Sequence, residues 1–413
     1  MSSAAASTTP LADEVTIIGA GPAGLMAACL LRQAKWNVEV LDQRFDVSAR
    51  PANAASYNLT LTPAGRFVLA QADISMQDCG RPIVGRRILD AGGKVHGFRY
   101  GAATEDYLLS VPRHELIGRL CDRARSLGAN IVGGVHVIRT DPTQGDVVVE
   151  EPSRALSRLQ RKHLIAADGV YSTCRNDVVH ATQAGMSLRD NGVVYTTLDI
   201  PTGEARASKL DPSWIHFSSG PGTMVIGLPN ADESFSLVVE WSGGHTGTVE
   251  DRAQAEEILA RFSLNRLIGL VPDATTALVG RRVRKFSYVA CQRWETGRIL
   301  LMGDAAHAMP PYLGAGVNTA LVDAFAFAKA VERTTSFEEA ACAYERERQE
   351  YVGNLDSLAR QHEDALVSGE WGGPRWRLRQ RIDRAAEQLL GRRTIYQHLI
   401  FDAPTKCVRG QIR

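Results

Sequence analysis

The 413 residues are 44% hydrophobic and 23% charged, with 47 basic against 46 acidic side chains. That balance leaves no bulk field to draw nucleic acid or an anionic membrane, and the length is a prior for about two domains with ample material for a core. The seven cysteines (29, 79, 121, 174, 291, 342 and 407) form no CxxC and no metal-ligand spacing, which excludes a disulfide framework and a metal site and fits a cytoplasmic protein. No apolar run reaches the ~18 residues of a membrane span. Residues 1–13 lack a basic n-region and an apolar h-region, so they read as a disordered tail rather than a signal peptide.

Glu14 to Ile18 is a short β-rich run. Gly19-Ala20-Gly21-Pro22-Ala23-Gly24 follows and fits G-x-G-x-x-G at Gly19, Gly21 and Gly24. A helical segment to about Lys35 leads to a second β-run, Val38 to Leu41, which ends at Asp42. The pattern predicts a tight turn at Gly19, close backbone approach at Gly21, helix–strand packing at Gly24 and a carboxylate for ribose hydroxyls at Asp42. Next, Ser56 to Ala70 starts extended, and Thr62 N-caps a helix with Pro63 at its first position.

Arg81 to Tyr100 reads as two strands around the turn Ala91-Gly92-Gly93-Lys94. Leu108 to Val111 is a strand, Arg113 to Leu127 a helix, and 130–139, 146–150 and 161–167 are strands. The last runs into Asp168-Gly169, again an apolar strand ending in an acid and a glycine.

Short alternating strands then dominate 181–290 (Val193–Ile200, Trp214–Phe217, Thr223–Leu228, Phe235–Trp241), with one amphipathic helix near Val249 to Phe262. This predicts an antiparallel sheet inserted into an α/β, Rossmann-like domain. The expected nucleotide domain is therefore discontinuous (14–80, 105–180 and 285–370), with 81–104 and 181–284 as the inserted substrate domain.

From Arg298 to Phe325 an apolar run ends in Gly303-Asp304, a Pro/Gly-rich loop follows, and an Ala-rich helix opens near Ala315. Such a loop can lay main-chain N–H groups against a large, electron-rich ligand. The alternating charge of Ala341 to Leu366 predicts a solvated helix face, and the segment 371–413 is expected to be helical, amphipathic from Arg375 to Leu390.

One dinucleotide fingerprint, a central Asp-Gly and a late Gly-Asp before a Pro/Gly loop occur in that order. The set resembles the single-component FAD-dependent aromatic hydroxylases over nearly the whole chain. Within that group, Tyr57 to Leu61, Leu109 to Arg113, Ile226 to Asn230 and Gly303 to Ala308 resemble the kynurenine 3-monooxygenases. The resemblance implies a Rossmann-like FAD-binding domain, a β-sheet substrate domain and C-terminal helices.

It also implies roles position by position. Asp42 and Arg44 would face the adenosine end, Thr60 would touch the cofactor through its backbone, and Arg113 would be a further cofactor contact. Asp168 and Asp304, with Gly303, would bind along the ribityl–pyrophosphate region. Val317 and Asn318 would offer backbone N–H groups to the flavin ring, Gly316 would be a further cofactor contact, and His307 would support the loop. Arg86 and Tyr100 would hold a substrate carboxylate.

Two departures from the group stand out. Ala315 replaces a glutamine, and the positions of an Asn and a second Tyr that hold the same carboxylate carry Ile382 and Leu399, with Tyr396 one turn off. The implied activity is hydroxylation of an electron-rich aromatic, kynurenine or a related aryl-amine carboxylate. It would run through a flavin hydroperoxide, with FAD, dioxygen and NADPH or NADH as transient reductant. The alternative kept open is a flavoprotein oxidase or dehydrogenase of a tryptophan-derived or other aromatic metabolite. The tail PTKCVRGQIR carries no apolar anchor.

Overall fold

Five parallel strands form the platform of the molecule, in the spatial order Ile299–Leu301, Leu164–Ala166, Glu14–Ile18, Asn37–Asp42, Asn130–Gly133. This computed structural model describes residues 13–48, 58–89, 94–101, 106–220, 222–263 and 265–367. The expected tail before Asp13, Tyr57, the turn at 91–93 and the helices of 371–413 with Ile382, Tyr396 and Leu399 lie outside the described residues.

The strands are near-continuous apolar runs because helices cover them, as parallel sheets require. Helix Pro22–Gln33 buries nine consecutive residues, Ala23 to Leu31. It packs against the Ala-rich helix Gly316–Val331 and against Arg113–Ser126. Small side chains on both Pro22–Gln33 and Gly316–Val331 allow the axes to approach closely.

The register sets Ile18, Ala166 and Leu301 level with one another and pairs Ile18 with Leu41. The loops that leave these strands therefore emerge along one edge, in the order Gly303-Asp304, Asp168-Gly169, Gly19 to Gly24, Asp42. That is where ligands of open α/β sheets bind.

A second, eight-stranded sheet runs Gly247–Thr248, Arg282–Cys291, Met186–Ile200, Phe235–Ser242, Thr223–Pro229, Trp214–Gly220, Gly85–Leu89, Val95–Arg99. It is antiparallel with one exception: Gly85–Leu89 pairs in parallel with Trp214–Gly220. Those two strands come from separate excursions of the chain, so no hairpin forces them antiparallel. Arg282–Cys291 belongs to this sheet throughout, which carries the sheet past the expected limit at residue 284. Arg81–Ile83 instead joins Leu59–Leu61 and Leu108–Val111 in a small separate sheet. An unanticipated strand, Leu156–Gln160, edges a third sheet; its side chains alternate between exposed and half-buried, a weak signal in the sequence.

The eight-stranded sheet has two apolar faces. In Phe235–Ser242 the odd positions Phe235, Leu237, Val239 and Trp241 pack with Ala255 and Ile258 of helix Arg252–Ala260. Val238 points the other way, with Tyr195, Ile215, Phe217 and Met224, and meets Tyr312, Leu313 and Ala315 of the loop and Leu355, Leu358 and Ala359 of the long helix Phe337–Val367.

That long helix corrects the expectation of a solvated charged face. Arg348 is 0% exposed, and Glu345 is buried with it. Both fall on the apolar stripe Ala341, Tyr344, Arg348, Val352, Leu355, at helical spacing. Arg348 Nε donates to Asp323 Oδ1 at 2.8 Å, and Asp323 Oδ2 accepts from the Gly303 N–H at 3.1 Å and faces His307 Nε2 at 2.7 Å. Burial opposes ionisation of Asp323, but the His307 and Arg348 charges outweigh it and hold the carboxyl below its usual range.

Asp323→Asn leaves Arg348 as a buried cation without a counter-charge. It should lower the unfolding free energy by about 3–5 kcal/mol in a urea titration, with partial recovery when Arg348→Met is added. Wild-type stability in Asp323→Asn would show that the pair does not hold the helix.

Candidate functional site

The fingerprint turn is built by close approach. Gly19 has φ +101°, and a Cβ there would overlap the Ala167 carbonyl of the neighbouring strand end. A Cβ on Gly24 would overlap the Gly19 carbonyl oxygen. Gly21 differs: a Cβ there meets nothing within 4 Å, so its Cα faces open space at the N-terminus of Pro22–Gln33. That helix has no side-chain cap, and the N–H groups of Gly21, Ala23 and Gly24 have no acceptor among the described residues. Free amides and the positive helix end favour an anion there.

Asp42 lies beside this turn. Its Oδ2 accepts the Ala20 N–H at 2.7 Å, and its Oδ1 accepts both the backbone N–H and the Nε of Arg44 at 2.8 Å. Burial works against the charge, yet the Arg44 pairing and these bonds keep the carboxyl below its usual range. Arg44 also donates to the Ala20 carbonyl at 2.8 Å, so the pair is fixed against the turn.

The middle of the edge carries two further acids. Asp168 Oδ2 accepts the Thr173 N–H at 3.0 Å, while its Oδ1 is buried without a partner. Burial raises its carboxyl. Asp304 is exposed, yet burial also raises its carboxyl, against the nearby positive charges of His307 and Arg113. Arg113 opens helix Arg113–Ser126 and is exposed, with its charge felt at both Asp304 and Tyr195. Gly169 is again open on its Cα side.

The far end is the loop from Pro310 to Ala315 and the helix that follows. The N–H groups of Gly316, Val317 and Asn318 have no acceptor among the described residues, and a Cβ on Gly316 would meet nothing within 4 Å. The Asn318 side chain latches this turn. Its Nδ2 donates to the Thr60 carbonyl at 2.7 Å and the Gly314 carbonyl at 3.0 Å, and its Oδ1 accepts the Thr62 N–H at 2.8 Å. Thr60 is thus tied to the loop by its carbonyl. Thr62 caps Pro63–Gln71 as expected, accepting the Gly65 N–H at 3.2 Å. His307 faces Asp323 rather than open space, consistent with a supporting role.

Arg86 and Tyr100 do meet. Arg86 Nε donates to the Tyr100 hydroxyl at 3.4 Å, and the guanidinium lies 5.9 Å from the Phe217 ring centroid. Ile215, the partner of Arg86 in the next strand, points to the loop-facing side of the sheet.

On that same side stands a residue that sequence reasoning did not single out, Glu240, 2% exposed. Its Oε2 accepts the Tyr312 hydroxyl at 3.3 Å, and its Oε1 is buried without a partner. Burial, reinforced by the Glu363 charge, pushes its carboxyl up to about 8. Glu363, on the long helix, accepts from Tyr288 and Asn191. Glu240 shares the even register of its strand with Ser236 and Ser242, which in the sequence reads as a solvent face and hides its burial.

The arrangement suits an elongated dinucleotide. Free amides sit at the first turns of two helices, Pro22–Gln33 and Gly316–Val331. Unpartnered carboxylate oxygens of Asp168 and Asp304 lie between, where hydroxyl donors would pair, and the Cα side of Gly21, Gly169 and Gly316 is bare. FAD has this sequence of groups: adenosine, pyrophosphate, ribityl chain, electron-poor ring.

Comparisons with known proteins agree. The profile of the FAD binding domain family matches residues 13–355. Kynurenine 3-monooxygenase of Stenotrophomonas maltophilia is 27% identical over 84% of this chain and 77% of its own length. Among solved structures, the tetrameric form of 2-methyl-3-hydroxypyridine-5-carboxylic acid oxygenase superposes with a TM-score of 0.70 at 19% identity, covering 88% of this chain and 95% of the other. A variant of Klebsiella pneumoniae HpxO, solved with FAD, gives 0.68 at 22%, covering 96% and 97%.

The raised Glu240 carboxyl has a stability consequence. Folded protein keeps this proton from the ordinary value of 4.5 up to about 8, while unfolded chain loses it early. The folded state binds more protons in that window, so stability should fall as pH rises through it. Urea midpoints at pH values spanning this window should fall less steeply in Glu240→Gln than in wild type; equal slopes would show that Glu240 ionises normally.

Proposed function

The chain belongs to the FAD binding domain family, and from that premise we propose that it hydroxylates an electron-rich aromatic carboxylate, kynurenine or a related aryl-amine, at the expense of NADPH or NADH in the cytoplasm. It is an FAD-dependent monooxygenase of the aromatic hydroxylase type. No helix among the described residues is long and apolar enough to cross a membrane.

The observation that carries the finer reading is the pairing of Arg86 with Tyr100 on the sheet face that looks at the loop beneath helix Gly316–Val331. A guanidinium and a phenol on an apolar wall are a receptor for a carboxylate, and the charge-assisted contact can be bidentate.

The site supports these roles. The amides of Gly21, Ala23 and Gly24 would hold the pyrophosphate, with Asp42 and Arg44 toward the adenosine end. Asp168 Oδ1 and Asp304 would accept hydrogen bonds from hydroxyls of the chain between, with Gly303 at the turn and Arg113 as a further contact. The N–H groups of Gly316, Val317 and Asn318 would serve the ring, where oriented donors stabilise developing negative charge. Thr60 fixes their distance through Asn318. When bound, FAD supplies the activation of dioxygen by electrons from the nicotinamide, and one oxygen atom passes to the arene. Tyr312, Leu313, Phe286 and Leu355 keep water from that region.

Asp304→Ala should release FAD on gel filtration while thermal unfolding of the apoprotein stays near wild type; full retention of flavin would remove Asp304 from the site. Oxidation of NADPH and NADH over kynurenine, anthranilate, tryptophan and related aryl-amines, with product mass and peroxide release, tests the reaction itself. Arg86→Ala should raise KM for the accepted carboxylate by about 10–100-fold with FAD content unchanged, and an unmoved KM would place the carboxylate elsewhere.

A further inference from the structure

Glu240 is a buried acid that the reading above does not use. Its place in the sheet is fixed by register. It lies opposite Tyr195 on one side and Met224 on the other, both on the loop-facing side. Arg86 stands level with Ile215, Leu228 and Ser236. Glu240 is therefore about 13 Å along the strand from that level and about 14 Å across it, with both side chains rising from one face. Arg86 marks one end of this face and Glu240 the end beneath the Tyr312–Ala315 loop.

Aromatic side chains crowd around Glu240. Tyr195 stacks on Phe286, with ring centroids 4.3 Å apart, and Phe286 meets Tyr312 edge-on at 6.4 Å. Tyr312 satisfies Oε2 and leaves Oε1 with nothing. Buried polar atoms in native proteins are paired, and an orphan at a binding face calls for a ligand group. The neighbouring acid, Glu363, already accepts two donors from Asn191 and Tyr288. Two carboxyls here, with Glu240 short of a donor, favour a group that brings N–H.

We propose that Glu240 is a specificity-determining residue whose Oε1 accepts a hydrogen bond from a ring-side N–H of the aromatic substrate, while Arg86 and Tyr100 hold that substrate's carboxylate at the other end. This rests on the hydroxylase reading and narrows it to aromatic carboxylates with an N–H on or beside the ring. Ala315, 2% exposed at the same place, adds no polar atom that could serve instead. Burial keeps a proton on this carboxyl when no ligand is present, and an arriving N–H takes that proton's place at Oε1, the proton leaving to solvent.

The test is calorimetric binding to FAD-loaded protein, without turnover, of two matched pairs: tryptophan against 1-methyltryptophan, and kynurenine against its N,N-dimethylanilino analogue. Wild type should bind the N–H member of at least one pair about tenfold or more tightly. Glu240→Leu should erase that preference by weakening the N–H ligand alone, and Glu240→Gln, which keeps an acceptor oxygen, should restore part of it. Arg86→Ala should weaken both members equally.

Flavin absorbance of each variant reports folding, and the Gln variant carries the comparison if the Leu variant loses FAD. No preference in wild type, including no binding of either member, overturns the proposal, as does a preference that survives in Glu240→Leu. Protein without FAD or without aryl-stimulated nicotinamide oxidation instead defeats the hydroxylase reading, so the two failures are separable.

Discussion

The carboxylate of Asp323 joins three segments that are far apart in the chain. It accepts the Gly303 N–H at the end of an edge strand, faces His307 in the turn that follows, and anchors Arg348 on the long helix. Replacing such a set with apolar side chains of equal volume often costs little stability. What apolar packing lacks is direction. Here the carboxylate holds the turn from the strand end into Asp304 from behind.

The same logic, position obtained by removing freedom, governs the glycines. Gly19 and Gly24 are sites where any side chain would strike a neighbouring backbone oxygen. They bring strand, turn and helix close enough that free amides converge. Gly314, with φ +66° and its Cα against the Thr60 hydroxyl, does the same at the other end of the edge. Between them the two helix N-termini are set a fixed distance apart by the sheet, which suits a ligand of fixed length better than a small anion.

Much of this was legible because the signals are local. Strand, glycine turn, helix, strand and acid in series identified the Gly19–Asp42 unit, and Thr62-Pro63 marked a helix start by cap chemistry alone. The inserted sheet was legible as a change of period, though its ends were not, since Arg282 to Lys285 carry charges that hide the alternation within a strand. Arg348 was misread for the opposite reason. Its charge was counted with its sequence neighbours, whereas its partner lies 25 residues away. Spacing on the helix, which places it in line with Tyr344 and Val352, was the better guide than charge.

Glu240 illustrates what local reading cannot reach. Its meaning depends on which face of a strand it occupies and on a loop about seventy residues later, and only the pairing of Tyr312 with Oε2 shows that Oε1 is left over. Ala315 lies on the loop that covers Glu240. With an alanine on the loop and an acid on the facing strand, the polar side chain here stands on the sheet. A sheet residue is held by two neighbouring strands and moves less than a loop residue. A polar contact placed there selects more sharply among substrates, because a ligand of the wrong shape leaves the acid unpaired instead of drawing the loop toward it.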